Sequence, residues 1–245
     1  MSTPLAVVSG GTRGIGLALS RRLVELGHRV IALYHSDDDA ARAAADELGP
    51  ALRVRRLDVA DAGAVARSGA ELLAADGAPR VLVNNAGLNV DRPFLEMTTD
   101  DWRRVIDTNL SGVFHLCRTL VPSMLDKGGV VVNIGATTGI RPRANGVNYC
   151  ASKAGLLQLT KCLAQELAPR VRVNCLIPGA IETKELVARF RLDDARERAR
   201  MVAEIPQGRI GAPEDVADAL EFLVGPGSAY LTGQKLIVDG GQFMW

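Results

Sequence analysis

The 245 residues carry 29 basic against 28 acidic side chains, a formal net charge of +1. That balance excludes the broad positive field on which nucleic-acid and anionic-membrane binders rely. A hydrophobic share of 47% with 23% charged residues excludes a disordered chain and supports one large core.

In chain order, the opening MSTPLAVVSGG has no basic segment ahead of its apolar run, which is too short for a signal segment or a membrane span. A cytoplasmic protein is expected. Strand-like runs rich in β-branched residues recur at Leu5–Val8, Val30–Leu33, Leu52–Leu57, Val81–Val83, Val130–Ile134, Val171–Ile177 and Leu236–Val238. Stretches of helical period separate them, among them Gly16–Leu26, Asp38–Leu48, Ala62–Ala75 and Ala151–Leu167. The alternation predicts one α/β domain over residues 1–245, a doubly wound Rossmann fold with a seven-stranded parallel sheet and helices on both faces. Residues 182–207 interrupt it with one or two extra helices rich in arginine, read either as a solvated, ion-paired face or as a lid over a substrate. Cys117, Cys150, Cys162 and Cys175 lack metal-ligand spacing, so no metal site is expected and buried reduced thiols are the plain reading.

The first strand runs into SGGTRGIG, Ser9 to Gly16, and then into a helical pattern. Glycines at Gly10, Gly14 and Gly16, with Thr12, Arg13 and Ile15 between them, suit a turn that lets backbone approach a pyrophosphate at a helix N-terminus. The second strand ends Tyr34-His35-Ser36, without the carboxylate that holds a free ribose 2′-OH in NAD-binding folds. Arg13, His35 and Ser36 suit a 2′-phosphate instead, so NADP(H) is the expected cofactor.

Further along come Asp58-Val59, Asn84-Asn85-Ala86-Gly87, Asn109 in DTNLSG, Tyr149-x-x-x-Lys153 and Pro178-Gly179-x-Ile181-x-Thr183. With the glycine turn, these six ordered motifs resemble the short-chain dehydrogenase/reductase family over essentially the whole chain. The tail AYLTGQKLIVDGG and the stretch RIGAPEDVADALEFLV look most like its 3-oxoacyl carrier-protein reductases. The chemistry is readable beside the name. Reducing a ketone by hydride transfer leaves an alkoxide that needs a proton, which Tyr149 can donate, and Lys153 one turn along the same helix face is expected to lower the phenol pKa and reach the nicotinamide ribose. The resemblance implies that Asn109 holds a proton-relaying water, that Asp58 and Val59 flank the adenine, that Asn85, Ala86 and Gly87 pass beneath the cofactor ribose, and that Pro178, Gly179, Ile181 and Thr183 cover the nicotinamide. By their own chemistry Asp58 also suits a helix cap and Asn84 a strand brace.

The family's substrate-binding serine, thirteen residues before the tyrosine, is Ala136 here. Three explanations stay open: Thr137 or Thr138 supplies the hydroxyl, with Thr138 favoured if the segment is extended; the alanine is engineered; or the protein is a slow enzyme or a non-catalytic NADP(H)-binding protein. Lys127 and Arg170 match the family's carrier-docking cations, and Arg141 and Arg143 add charge near the substrate. The resemblance thus implies reduction of a carrier-linked 3-oxoacyl thioester, in fatty acid or polyketide-type synthesis, with a free ketone, sugar or cyclic alcohol as the alternative. It also implies a homotetramer built on two long helices near Asp100–Asp126 and Asn148–Ala168. The tail Phe243-Met244-Trp245 is expected to pack either across such an interface or on the chain's own core.

Overall fold

Alternate residues of the first strand face opposite sides of a sheet: Leu5 and Val7 enter one apolar layer, Ala6 and Val8 the other. Both faces are therefore buried, as a parallel sheet with helices on each side requires. The computed structural model, which describes residues 3–244, places β1 (Leu5–Ser9), β2 (Arg29–Tyr34), β3 (Leu52–Arg56), β4 (Val81–Asn84), β5 (Gly129–Ile134), β6 (Val171–Pro178) and β7 (Lys235–Val238) in one sheet. All pairs are parallel and the order is β3-β2-β1-β4-β5-β6-β7. The order reverses between β1 and β4, where open α/β sheets bind ligands beyond the strand carboxyl ends.

One face carries α1 (Gly14–Glu25), α2 (Asp38–Leu48) and α9 (Pro213–Val224), whose Leu19, Leu23, Ala44, Val216, Leu220 and Leu223 are buried on the sheet. The other carries α3 (Ala62–Asp76), α5 (Gly112–Met124) and α6 (Val147–Leu167), contributing Leu72, Leu116, Leu120, Met124 and Leu156. Asp37 and Asp61 cap α2 and α3 by accepting from Ala40 N–H and Ala64 N–H. None of the helices among the described residues is long and apolar enough to cross a membrane.

Two features depart from the sequence pattern. The long helix expected across Asp100–Asp126 is split: α4 (Thr99–Ile106) passes into a π-type turn over Asp107–Ser111 before α5 begins. Such turns shift the register of a helix and turn a side chain inward, and here Asn109 is fully buried. The cysteines also differ, for Cys162 is exposed on α6 and Cys150 half-buried, while Cys117 and Cys175 are buried.

The extra helices between β6 and α9 are α7 (Lys184–Phe190) and α8 (Ala195–Ala203). They close over a small core of their own, Leu192, Ile205 and Ile210, backed by Leu186, Val187 and Met201.

Candidate active site

The glycine turn is fixed by close backbone approach. Gly10 has φ +62°, and a Cβ at Gly16 would lie 1.9 Å from the Gly10 carbonyl oxygen, so neither position tolerates a side chain. Ser9 at the end of β1 ties this turn to the end of β4, its Oγ accepting from Asn85 N–H and Ala86 N–H, each at 3.0 Å. Asn85 returns the tie, donating from Nδ2 to the carbonyls of Ser9 at 3.1 Å and Gly10 at 3.0 Å. Its amide is thus a brace of the turn, and what faces outward beside it is Gly87. The first turn of α1 has neither a capping side chain nor an acidic residue, which leaves its positive end for an anion. Thr183 caps α7 by accepting from Leu186 N–H, and its methyl lies 3.4 Å from where a Gly14 Cβ would stand. A nicotinamide dinucleotide fits this cradle: a bare helix N-terminus for phosphate, with Thr183 closing over it.

At the ribose end, Tyr34, His35 and Ser36 follow β2, and His35 Nε2 lies 3.7 Å from Asp58 Oδ2. Asp37 turns into its own helix as a cap, and Asp58 accepts from Ala60 N–H at 2.9 Å. No motif points to Arg56, yet it ends β3 beside this corner and donates from Nε to the His35 carbonyl at 3.0 Å. Arg13 is exposed across the turn. Thr12 and Val59 are buried, and Val59 O lies 3.1 Å from His115 Nδ1.

The carboxyl ends of β4, β5 and β6 meet the amino end of α6. Asn148 fixes that end, donating from Nδ2 to Val90 O at 3.0 Å and Asp101 O at 3.2 Å, while its Oδ1 accepts from Tyr149 N–H. Asn133 on β5 accepts from Asn84 and donates to Thr160 Oγ1, a buried polar chain that pins α6 to the sheet. Asn109 accepts from Leu88 N–H at 2.9 Å and donates to Leu88 O at 2.9 Å and to Ser152 Oγ at 3.2 Å. Ser152 Oγ donates in turn to Tyr149 O. A Cβ at Gly87 would stand 3.4 Å from Asn109 Oδ1 and 3.8 Å from Lys153 Nζ, so the glycine leaves room between these two polar groups.

Lys153 is buried and donates to Ile134 O at 2.8 Å. Burial pushes its amine down to about 8. Its Nζ lies 5.7 Å from the Tyr149 ring centre. Burial first, then the Glu185 carboxylate, pushes the Tyr149 phenol up to about 12, against the pull of Arg143 and Arg189. The cations that pull the phenol down are these two arginines, while Lys153, expected to act the same way, directs its ammonium to the Ile134 carbonyl.

Ala136 is extended, with φ −159° and ψ 152°, but residues Thr137–Gly139 turn into one 3₁₀ turn. Thr138 therefore does not share the strand face of Ala136, and the extended-segment argument for it fails. Its Oγ1 is nevertheless buried without a hydrogen-bond partner. Arg143 is engaged by Asn89 at 2.7 Å and by Asp91. Arg141 lies over the Phe243 ring of its own chain, 5.3 Å from the centre, so the described part of the tail reaches toward this mouth; Trp245 lies outside the described residues. Pro178 ends β6, Gly179 N–H donates to Val238 O, and Ile181 pairs with Gly211, which carries the chain across the site to Thr183.

Lys127 and Arg170 precede β5 and β6. Both are exposed, but they lie at the amino edge of the sheet whereas Tyr149 and Ala136 lie at its carboxyl edge. Placing them beside the chain's own cleft is corrected: parallel strands put the residues that enter and leave them at opposite ends, roughly 20 Å apart for a six-residue strand.

The model of a family described as enoyl-(acyl carrier protein) reductase matches residues 10–242. A 3-oxoacyl-[acyl-carrier-protein] reductase of Salmonella typhimurium is 37% identical over 98% of this chain and 97% of its own length. The chain belongs to the short-chain dehydrogenase/reductase family. Other short-chain relatives differ in substrate: an acetoacetyl-CoA reductase of Rhizobium meliloti is 39% identical, covering 98% of each chain, and a 3β-hydroxysteroid dehydrogenase of Eggerthella lenta is 39% identical over 98% of this chain and 93% of its own. Among solved structures, a candidate gluconate dehydrogenase from Agrobacterium tumefaciens superposes with a TM-score of 0.91 at 31% identity, covering 98% of this chain and 95% of that one. The protein is accordingly an oxidoreductase of the short-chain type.

Proposed function

We propose that the protein reduces the 3-oxo group of an acyl thioester to a 3-hydroxyl with NADPH. The observation that carries this reading is the convergence of Lys153 and Asn109 on the space beside Gly87, next to the glycine turn, with the Tyr149 ring centre 5.7 Å from Lys153 Nζ. When bound, the reduced nicotinamide supplies a hydride to the carbonyl carbon. Tyr149 gives its phenolic proton to the carbonyl oxygen, so that C=O becomes CH–OH and a Tyr149 phenolate is left to be reprotonated. Lys153 and Asn109 border the route from that phenol toward solvent and serve its reprotonation.

The remaining residues bind and orient. Gly10, Thr12, Arg13, Gly14, Ile15 and Gly16 with the bare end of α1 receive the pyrophosphate; Arg13, Tyr34, His35, Ser36 and Arg56 favour a 2′-phosphate; Asp58 and Val59 flank the adenine. Asn85, Ala86 and Gly87 pass beneath the ribose, and Pro178, Gly179, Ile181 and Thr183 lie over the nicotinamide, with residues 182–207 as the lid. Ala136 leaves the substrate carbonyl without the family's usual donor, and we assign that donor to Thr138, whose buried hydroxyl has no other partner.

NADPH oxidation at 340 nm with a 3-oxoacyl thioester tests the reading, with Thr138→Val expected to lose about a hundredfold in kcat. A Thr138→Val enzyme as fast as its parent, together with a hundredfold gain in Ala136→Ser, would instead mark an impaired reductase. A second reading, a free ketone substrate, is favoured by the position of Lys127 and Arg170 away from the cleft. Turnover of small cyclic ketones with none of thioesters selects it. Self-association through α5 and α6 is proposed as well, supported by the exposed Phe114 and Val147 on these helices.

A further inference from the structure

Arg143 has a more specific setting than a cation beside a substrate. Its guanidinium carbon lies over the Tyr149 ring, 5.6 Å from the centre, within the range at which a cation is attracted to an aromatic face. The group also lies close to the backbone of its own loop. A Cβ at Gly146 would stand 2.8 Å from Arg143 Cζ and 3.0 Å from Nη1, so the absence of a side chain there is what admits the guanidinium. Two acceptors from the segment after β4, Asn89 Oδ1 and the Asp91 carboxylate, fix its outer edge. Against the cost of burial, Arg143 and Asn89 hold the Asp91 carboxyl below its usual range, so the clamp stays charged. The same carboxylate also pairs with Arg189 near the end of α7. Three segments distant in sequence thus meet at Asp91, and one of its partners, Arg143, lies over the Tyr149 ring.

We infer that Arg143 is the positioning residue of Tyr149, held on the ring by Gly146, Asn89 and Asp91, and that Arg189 ties this arrangement to the position of α7. The inference rests on Tyr149 as proton donor for its catalytic meaning, though not for its geometry. The charged and titratable groups facing the phenol are Lys153 and Cys150 from α6, Glu185 and Arg189 from α7, and Arg143 from the segment between the 3₁₀ turn and α6. Of these, Arg143 and Lys153 lie over the ring face. A planar guanidinium favours the phenolate over the phenol and restricts the ring at once, which a lysine on a flexible stem does less well. A displacement of α7 removes Arg189 from Asp91 and Glu185 from the phenol together, so closure of this segment and acidity of the donor are linked.

The test is the ionisation of Tyr149 in the substrate-free protein, followed by NMR of ring-labelled tyrosine and assigned by the resonance lost in Tyr149→Phe. The titration runs to the highest pH at which circular dichroism is unchanged. Removing a neighbouring cation raises a phenol pKa, so Arg143→Ala is expected to move the onset upward by roughly one pH unit, with Arg143→Lys between it and the parent. Gly146→Ala keeps the charge but displaces the guanidinium and should shift the onset in the same direction; Arg189→Ala should shift it less. The alkaline limb of kcat/KM for carbonyl reduction should move in step. Coincident titrations for Arg143→Ala and the parent would overturn the inference. Full recovery by Arg143→Lys, or a Gly146→Ala curve identical to the parent, would overturn the stacked role. A shifted titration in a protein that turns over no carbonyl compound would leave the positioning role standing and sink the proton-donor reading.

Discussion

The corner at the glycine turn and the mouth around Tyr149 are built from different materials. At the first, backbone meets backbone: Gly16 lies against the Gly10 carbonyl, Asn85 donates to Ser9 and Gly10, and α1 offers an end without a capping side chain. At the second, long side chains from three segments share charges, as Arg143, Asp91 and Arg189 do around Tyr149. A backbone cradle has almost no freedom to vary and suits a ligand common to many reactions. A side-chain clamp is re-aimed by single substitutions, which suits the part that chooses a substrate. The relatives fit this division, since they match nearly the whole chain at 37–39% identity while their names span acyl thioesters and steroids.

The largest effect that would test the contrast is at Gly16. Gly16→Ala puts a methyl 1.9 Å from a carbonyl oxygen that is itself backbone, so NADPH affinity by fluorescence titration should fall a hundredfold or more. Retained affinity would show that the turn yields, and the contrast would fail. Next comes Lys153, where function and stability oppose. Its amine is pushed down to about 8 by burial, so below that pH both states carry the charge but only the fold must hold it away from water. The cost is fully present at pH 7 and disappears as pH rises from there toward the ordinary lysine range. Lys153→Met is expected to lose at least a hundredfold in turnover while gaining about 2 kcal/mol in denaturant unfolding at pH 7, a gain that shrinks above pH 8. The smallest effect is at Arg56. Arg56→Ala should lower the preference for NADPH over NADH by about tenfold, the loss of one charged contact to phosphate, with the thioester KM unchanged. An unaltered preference would move the 2′-phosphate to Arg13 and His35.

Much of this was legible in the sequence for a common reason. The glycine turn, the strand that precedes it and the Tyr149-x-x-x-Lys153 pair are local patterns, and a helix or a strand converts such spacing into geometry directly. Other features were not local. The π-type turn that buries Asn109 leaves no spacing signal, since the residues around it remain helical in pattern. Asn148, Ser152 and Asn133, which hold α6 in place, look like ordinary polar residues until their distant partners are known. Lys127 and Arg170 were matched by resemblance, and a match in sequence does not say at which end of the sheet the residues stand, which is its amino edge.

By itself the sequence determined a seven-stranded doubly wound sheet, the glycine turn ahead of the first helix and the tyrosine and lysine on one helix face, all consequences of hydrophobic period and short-range spacing. Only the tertiary structure decided which charges reach the phenol. Arg143, Asp91 and Arg189 are separated by 52 and 98 residues along the chain, and the crossovers of the sheet alone bring their loops to one edge, where burial makes their mutual attraction count.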